Sequence, residues 1–361
     1  MLVDPSLFPG TKSLTYLNTG SMALGHRPGS EALSNAAAQW QAGQFDWMEA
    51  ERVGEDLRST VAGLIGARGN QLALVVGASG GAASVAAQLP DSDGTANIVV
   101  PARDFASNFL AWKMLENRGY EVRLVDDVNG ALPIDVFAQL VDTNTSVIAT
   151  SVVQSATGYR VDVDALKSVA AAADAWLVVD ASQALGSIRV DVDGLAALFG
   201  CSHKWLLGIR GMGYLYVRSD LATDFTPISP GWKSVHDPIN SFYGPDLVLA
   251  DDLARLDSSW PWFDPLVNIE GVRIVAGIGI DAVEQHNMNL VATLEEQGVP
   301  VAFDRRHRSP IVSLTAEDPG LPDRLKEAGI VTSARAGRIR VGFHLYNTAD
   351  DVGLLADVIQ S

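Results

Sequence analysis

The stretch 176–186, WLVVDASQALG, and the stretch 201–217, CSHKWLLGIRGMGYLYV, decide how this chain is read. WLVV is continuously apolar, as a strand is when helices cover both faces of its sheet, and it ends in Asp180. The carboxyl ends of such strands are where open α/β sheets gather ligand-binding groups. Alone, Asp180 would serve as well to cap the following turn. Lys204, however, follows after one more strand-like segment, LFGCSH, which can return the chain to the same sheet edge. An isolated lysine is ordinarily a surface residue. A lysine relieved of its proton forms a Schiff base with an aldehyde. An acid beside a pyridine nitrogen keeps that ring protonated and makes it an electron sink. Together the two residues describe pyridoxal phosphate chemistry.

Outward from this stretch, short apolar runs recur: LALVV at 72–76, NIVVP at 97–101, EVRLV at 121–125, SVIATS at 146–151 and YLYV at 214–217. Between them lie helical patterns such as SNFLAWKMLENRG and DVDALKSVAAAADA, the second with an acidic first turn and an Ala-rich body. Strand and helix in alternation predict a doubly wound, mostly parallel α/β domain. After about residue 220 the chain turns to TPISPGWKSVHDPINSFYGPD, read as a long loop over a site or an interface. Its surroundings expose Trp232, Tyr243, Trp260 and Trp262 if left uncovered. One long helix is predicted from about Pro265 to Gln297, and PIVSL, GIVTS and RIRVGF predict a small α+β C-terminal domain. The expected division is an N-terminal segment 1–20 packing with the small domain, a large cofactor-binding domain 21–260 and a small domain 261–361.

At 361 residues with 47% hydrophobic and 19% charged residues, the chain has the composition of a folded globular protein. Its 43 acidic against 26 basic residues give a net charge of −17, which repels phosphate backbones and anionic lipid, so neither nucleic acid nor a membrane is expected as partner. The single cysteine, Cys201, fits a reducing compartment. No basic start with an apolar core opens the sequence, and no run of about 18 apolar residues interrupts it, so a cytoplasmic protein is expected. The six histidines show no metal-ligand spacing, and neither a Gly-x-Ser-x-Gly elbow nor a Walker loop is present.

Three motifs, VDASQALG, SHKWLLGIRGMGYLYV and RVGFHLYNT, agree in order and spacing with the class V aminotransferase family of fold type I PLP enzymes, which the chain resembles over most of its length. That family includes cysteine desulfurases, kynureninase and isopenicillin epimerase-like proteins. The resemblance implies that Lys204 binds pyridoxal 5′-phosphate covalently, Asp180 pairs with the pyridine nitrogen, Gln183 reaches the phenolic oxygen and His203 bonds the phosphate. In VVGASGGAASVAAQL, small residues between a strand and an Ala-rich helix bring backbone N–H groups to an anion, unless they merely punctuate the chain. By resemblance Ala78, Ser79 and Gly80 form the phosphate loop, with Ser79 giving a hydroxyl. Phe105, otherwise a core residue at a helix start, falls where the family stacks a ring on the cofactor. SVVQSATG brings Gln154 or Ser155 to the ring or the substrate, a choice the sequence leaves open. Arg340, six residues before Tyr346, matches the family's carboxylate-binding arginine, and a guanidinium is the natural partner of an α-carboxylate. Arg335 and Arg338 read as solvated edge-strand residues unless the substrate carries a second anionic group.

Two departures stand out. The C-terminal lobe has no cysteine where desulfurases carry a mobile catalytic one, so persulfide-forming desulfuration is not expected, and Cys201 reads as a small buried residue. In RLDSSWP, Trp260 stands where the family has a threonine reaching the partner subunit's cofactor phosphate. The expected function is an aminotransferase acting on an amino acid, with Lys204 moving the α-proton. A lyase or epimerase sharing that first step is the alternative. A degenerate binding module is disfavoured by the intact set Asp180, Gln183, His203, Lys204 and Arg340. A homodimer with shared active sites is expected, its two-fold interface burying the aromatic loop.

Overall fold

The computed structural model describes residues 1–315 and 318–361. A short strand β1 (Thr15–Tyr16) opens the chain, followed by β2 (Leu72–Val75), β3 (Asn97–Pro101), β4 (Glu121–Val125), β5 (Thr145–Ser151), β6 (Trp176–Asp180), β7 (Ala197–Cys201) and β8 (Gly213–Val217). β2 to β8 make one seven-stranded sheet in the order β2-β8-β7-β6-β5-β3-β4. β7, β6, β5, β3 and β4 run parallel, and β8 is antiparallel to both its neighbours. The continuous apolar runs have the cause the sequence suggests. Leu74, Val99, Ile148, Leu177 and Leu198 face one buried cluster, whereas their neighbours Val75, Val100, Ala149, Val178 and Phe199 face another on the opposite side. Side chains alternate across a strand, so a sheet covered on both faces needs apolar residues at every position.

The rest of the chain builds a second, smaller assembly. β9 (Ile311–Thr315), β10 (Ile330–Val331), β11 (Ser333–Arg335) and β12 (Arg338–Gly342) follow the long helices. β9, β12 and β11 form an antiparallel sheet, with its own cluster around Val312, Val341, Phe343 and Leu355. β10 instead pairs in parallel with β1 from the far end of the chain.

Two expectations change. The single helix over 265–297 is two helices, Phe263–Ile278 and Ile280–Glu296. They break at Gly279, whose φ of +87° takes it out of the helical region. A periodic apolar pattern continues across such a break, so periodicity alone cannot locate it. Trp260 is 3% exposed rather than awaiting a partner. It belongs to the large core, with Lys233 Nζ 3.2 Å from its ring centroid and Gly54 beneath it. Tyr243 does lie open to solvent, at 93% exposure.

The long loop is tied to the sheet through Asp257. Its Oδ1 accepts from Leu74 N–H at 2.8 Å and from Arg58 Nη1 at 2.9 Å, and Ser258 N–H donates to Leu74 O at 3.0 Å. Backbone groups that edge strand β2 would otherwise leave unpaired are thereby satisfied. Arg58 and Asp257 are both buried, and removing one member of such a pair strands the other charge. Asp257→Ala is expected to lower the unfolding free energy by about 3–5 kcal/mol, measured by urea denaturation. A loss below about 1 kcal/mol would mean that the pair behaves as a surface contact.

Candidate active site

Where the parallel strands end, their following loops converge on a cavity of about 380 Å³. Asp180 and Cys201 come from the ends of β6 and β7, and Lys204 from the turn after β7. Ala78 and Ser79 come from the first turn of the helix Gly77–Ala86. Because β8 runs against its neighbours, its approach places Arg210 and Met212 at the same edge. Gly81 lets that helix lie close: a Cβ there would stand 2.5 Å from the Phe199 side chain.

Asp180 is buried, and its Oδ1 accepts from Ser182 N–H at 2.7 Å. Burial pushes its carboxyl up to about 6, against the Ser182 backbone hydrogen bond and the Lys204 charge. Lys204 is also buried, with Nζ 5.4 Å from the ring centroid of the half-exposed Phe105. Burial, then Lys204 and Arg210, hold the His203 imidazole down at about 4. His203 is therefore neutral at physiological pH, and positive charge on this side comes from Lys204 and Arg210.

Gln183 is locked from three directions. Trp205 Nε1–H donates to its Oε1 at 2.9 Å, while its Nε2 donates to Gly20 O at 2.9 Å and Ser155 Oγ at 3.3 Å. Opposite, Arg340 Nη1 donates to Ser155 O and Oγ, both at 2.9 Å, and Nη2 to Ser21 Oγ at 2.8 Å. Burial, and then Arg335, lower the Arg340 guanidinium to about 10. The RVGFHLYNT segment braces this wall: His344 Nε2 bonds Trp205 O at 3.1 Å, and the buried Tyr346 hydroxyl bonds Thr19.

Of the residues singled out in the sequence, Ala78, Ser79, Phe105, Ser155, Asp180, Gln183, His203, Lys204 and Arg340 line the one cavity. Gly80 does not, nor does Gln154, which lines a neighbouring hollow with Thr157 and Arg338. Ser155, not Gln154, is thus the residue of that loop facing the site. Sequence reasoning missed Ser21, Ser182 and Arg210, which line the cavity too. It also missed Asp104, which accepts from the backbone N–H groups of Phe105 at 2.7 Å and Ser151 at 2.8 Å and so fixes the loop bearing Phe105. An acid just beyond NIVVP obeys the same end-of-strand rule as Asp180 and was there to be found.

The family model for class V aminotransferases matches residues 30–301. The chain belongs to this family of pyridoxal phosphate enzymes, and the sheet and lobes described above are its fold type I architecture. It is similar to an uncharacterized aminotransferase, YcbU, of Bacillus subtilis, 26% identical over 98% of this chain and 95% of the relative. A probable cysteine desulfurase of Methanothermobacter thermautotrophicus is 26% identical over 87% and 84% of the two chains. Among solved structures, the cystine C–S lyase C-DES, seen with its product cysteine persulfide, superposes with a TM-score of 0.86 at 19% identity, covering 97% of this chain and 98% of that one. At that identity the likeness speaks for the fold alone.

These relatives overturn the expectation of an aminotransferase with desulfuration set aside, since relatives spanning most of the chain are named cysteine desulfurases. The family's cofactor is common to all these reactions, so motifs that point to it do not choose among them, and a missing cysteine in one lobe does not exclude a reaction class.

Pyridoxal phosphate is the cofactor, and the donor set fits it. The helix Gly77–Ala86 has no side-chain cap on its free N–H groups, which suits a phosphate. Asp180 suits a protonated ring nitrogen, and Lys204 an aldehyde. Ser182 Oγ is buried without a hydrogen-bond partner in the protein. Among the described residues no helix is long and apolar enough to cross a membrane, and no cluster of His, Cys, Asp or Glu could hold a metal ion.

The raised Asp180 value has a testable sign. The folded apo-protein holds this proton more tightly than the unfolded chain, whose carboxyl titrates near 3.9. Asp180 therefore destabilises the fold increasingly as pH rises from about 4 to about 6, and fully above that. Apo Asp180→Asn is expected to be more stable than wild type at pH 8 by on the order of 2–3 kcal/mol, with about half that gain at pH 5. A gain independent of pH, measured by urea unfolding, would refute burial as its cause.

Proposed function

We propose that this protein is a PLP-dependent lyase that cleaves the C–S bond of a sulfur-bearing amino acid. The convergence of the Lys204 amine, the Asp180 carboxylate and the Arg340 guanidinium on one cavity carries the enzymatic part of this reading. The named relatives support the choice of C–S cleavage.

Bound pyridoxal phosphate supplies the electron sink that lets a proton leave the substrate's α-carbon. Arg340 binds the α-carboxylate and so orients that carbon. Lys204 would hold the cofactor's aldehyde and, as a free amine, would take the α-proton. Cleavage of the Cβ–S bond would leave its electron pair on sulfur, to which Lys204 would return the proton it took, and the unsaturated amino acid left behind would take up one water to give a keto acid and ammonia. Asp180 would keep the ring nitrogen of the cofactor protonated. His203, being neutral, serves as a hydrogen-bonding partner of the phosphate and adds no charge.

The same proposal includes a cytosolic homodimer. The exposed apolar side chains of Ile228, Phe242, Tyr243 and Val248 in the long loop support an interface there. Light scattering of the dilute holoenzyme tests it; an active monomer would refute a shared site.

For the reaction, the holoenzyme is mixed with cysteine, cystine and S-alkyl cysteines, and carbon and sulfur products are assayed together. Pyruvate and ammonia with release of the sulfur fragment are expected. Lasting conversion of the cofactor to its amine form without C–S cleavage would overturn the proposal. Lys204→Ala is expected to lose the cofactor adduct fixed by borohydride and to lower turnover at least about 1000-fold. A borohydride adduct persisting on another lysine would remove Lys204 from its role.

A further inference from the structure

Two serine hydroxyls in the cavity have their acceptor positions filled. Ser21 Oγ receives Arg340 Nη2 at 2.8 Å and Arg335 Nη2 at 3.0 Å. Ser155 Oγ receives Arg340 Nη1 at 2.9 Å and Gln183 Nε2 at 3.3 Å. Guanidinium and amide N–H groups only donate, and a hydroxyl oxygen has two lone pairs and one proton. Each serine therefore has its own O–H left to donate, and both line the open cavity. The two guanidiniums donate only to neutral oxygens, Arg335 to Ala334 O and Ser21 Oγ and Arg340 to Ser155 and Ser21, so what they and the serine protons lack is an anionic acceptor. Among the described residues neither Arg335 nor Arg340 makes a salt bridge, although most arginines of this acidic chain do. Among the described residues, the only carboxylate lining the cavity is Asp180.

Arg335 and Arg340 are held close by the β11–β12 hairpin, which turns through Ala336 and Gly337, both at positive φ. Their mutual repulsion contributes to the lowered Arg340 value. Arg340 is buried at the cavity wall, whereas Arg335 is half-exposed nearer the hairpin tip. One α-carboxylate satisfies Arg340 and leaves Arg335 with Ser21 unanswered.

We propose that Arg335 and Ser21 form a specificity subsite for a second carboxylate, carried beyond sulfur in the side chain of the substrate. The substrate class is then a dicarboxylic amino acid in which a thioether or disulfide links the two acid-bearing halves. This rests on the C–S lyase reading for the identity of the linking atom, but the recognition of a second acid group does not depend on turnover.

The test titrates holoenzyme with S-carboxymethylcysteine and with its neutral isostere S-carbamoylmethylcysteine, following the cofactor's absorbance. Binding is read in this way even if no C–S bond breaks, so failure of the subsite and failure of the lyase reading give different results. Wild type is expected to prefer the acid by about tenfold or more. In Arg335→Gln that ratio falls to about one, and Arg335→Lys restores part of it. Equal affinities in wild type would overturn the subsite. So would Arg335→Gln weakening both compounds in parallel, since both arginines would then grip the α-carboxylate.

Discussion

A carboxylate held out of water at the end of a parallel strand is the constraint on which this site depends. Asp180 has few compensating contacts within the protein: the backbone N–H of Ser182 at 2.7 Å and the nearby charge of Lys204. Its burial costs free energy that a polar surface site would not. The sheet must therefore be rigid enough to hold it there. That rigidity comes from strands packed on both faces and from Asp257, which joins edge strand β2 to the helix Trp47–Leu64 through Arg58. The placement of Lys204, Gln183 and the phosphate-facing helix all follows from where β6 and β7 end.

The sheet was legible because it obeys a strong rule. Strands covered on both faces have no polar alternation, and five-residue apolar runs between helical segments admit few other readings. Asp180 and Lys204 were legible because their chemistry is complementary and their places in the strand pattern coincide. The wall of the site opposite them was not. Ser21 reaches Arg340 from the other end of the chain, and a serine in an N-terminal loop carries no periodic or compositional signal. Arg335 looked like an edge-strand arginine because sequence shows the strand and not the hairpin turn that aims it. Gly279 breaks a helix whose apolar pattern continues across the break. Trp260 looked exposed because its partners, Gly54 and Lys233, are far away in sequence.

The functional error has a related cause. Residues that hold the cofactor are shared by transaminases, lyases and desulfurases alike, so they identify the cofactor and leave the fate of the substrate open. That fate is set by what surrounds the β-carbon and the leaving group, and the residues there act through charge and shape and not through a recognisable motif. Arg335, in the subsite proposed for it, is a residue of that second kind.

The N-terminal strand has one further consequence. β1 pairs in parallel with β10, Leu17 N–H bonds Val331 O, and Gly342 N–H bonds Leu17 O, while Ala23 N–H reaches His203 O. Residues 15–23 are thus threaded between elements synthesised well after them. The large sheet is complete as a chain by Val217, so it can collapse during synthesis, but Ser21 acquires its lasting position only when β11 and β12 arrive. Pairings between distant ends form late, because the intervening chain must be ordered first. The half of the pocket built on β6 and β7 thus matures before the wall that carries Ser21 and Arg340, which under the proposed roles lets a nascent chain acquire the means to hold pyridoxal phosphate before it can select an amino acid.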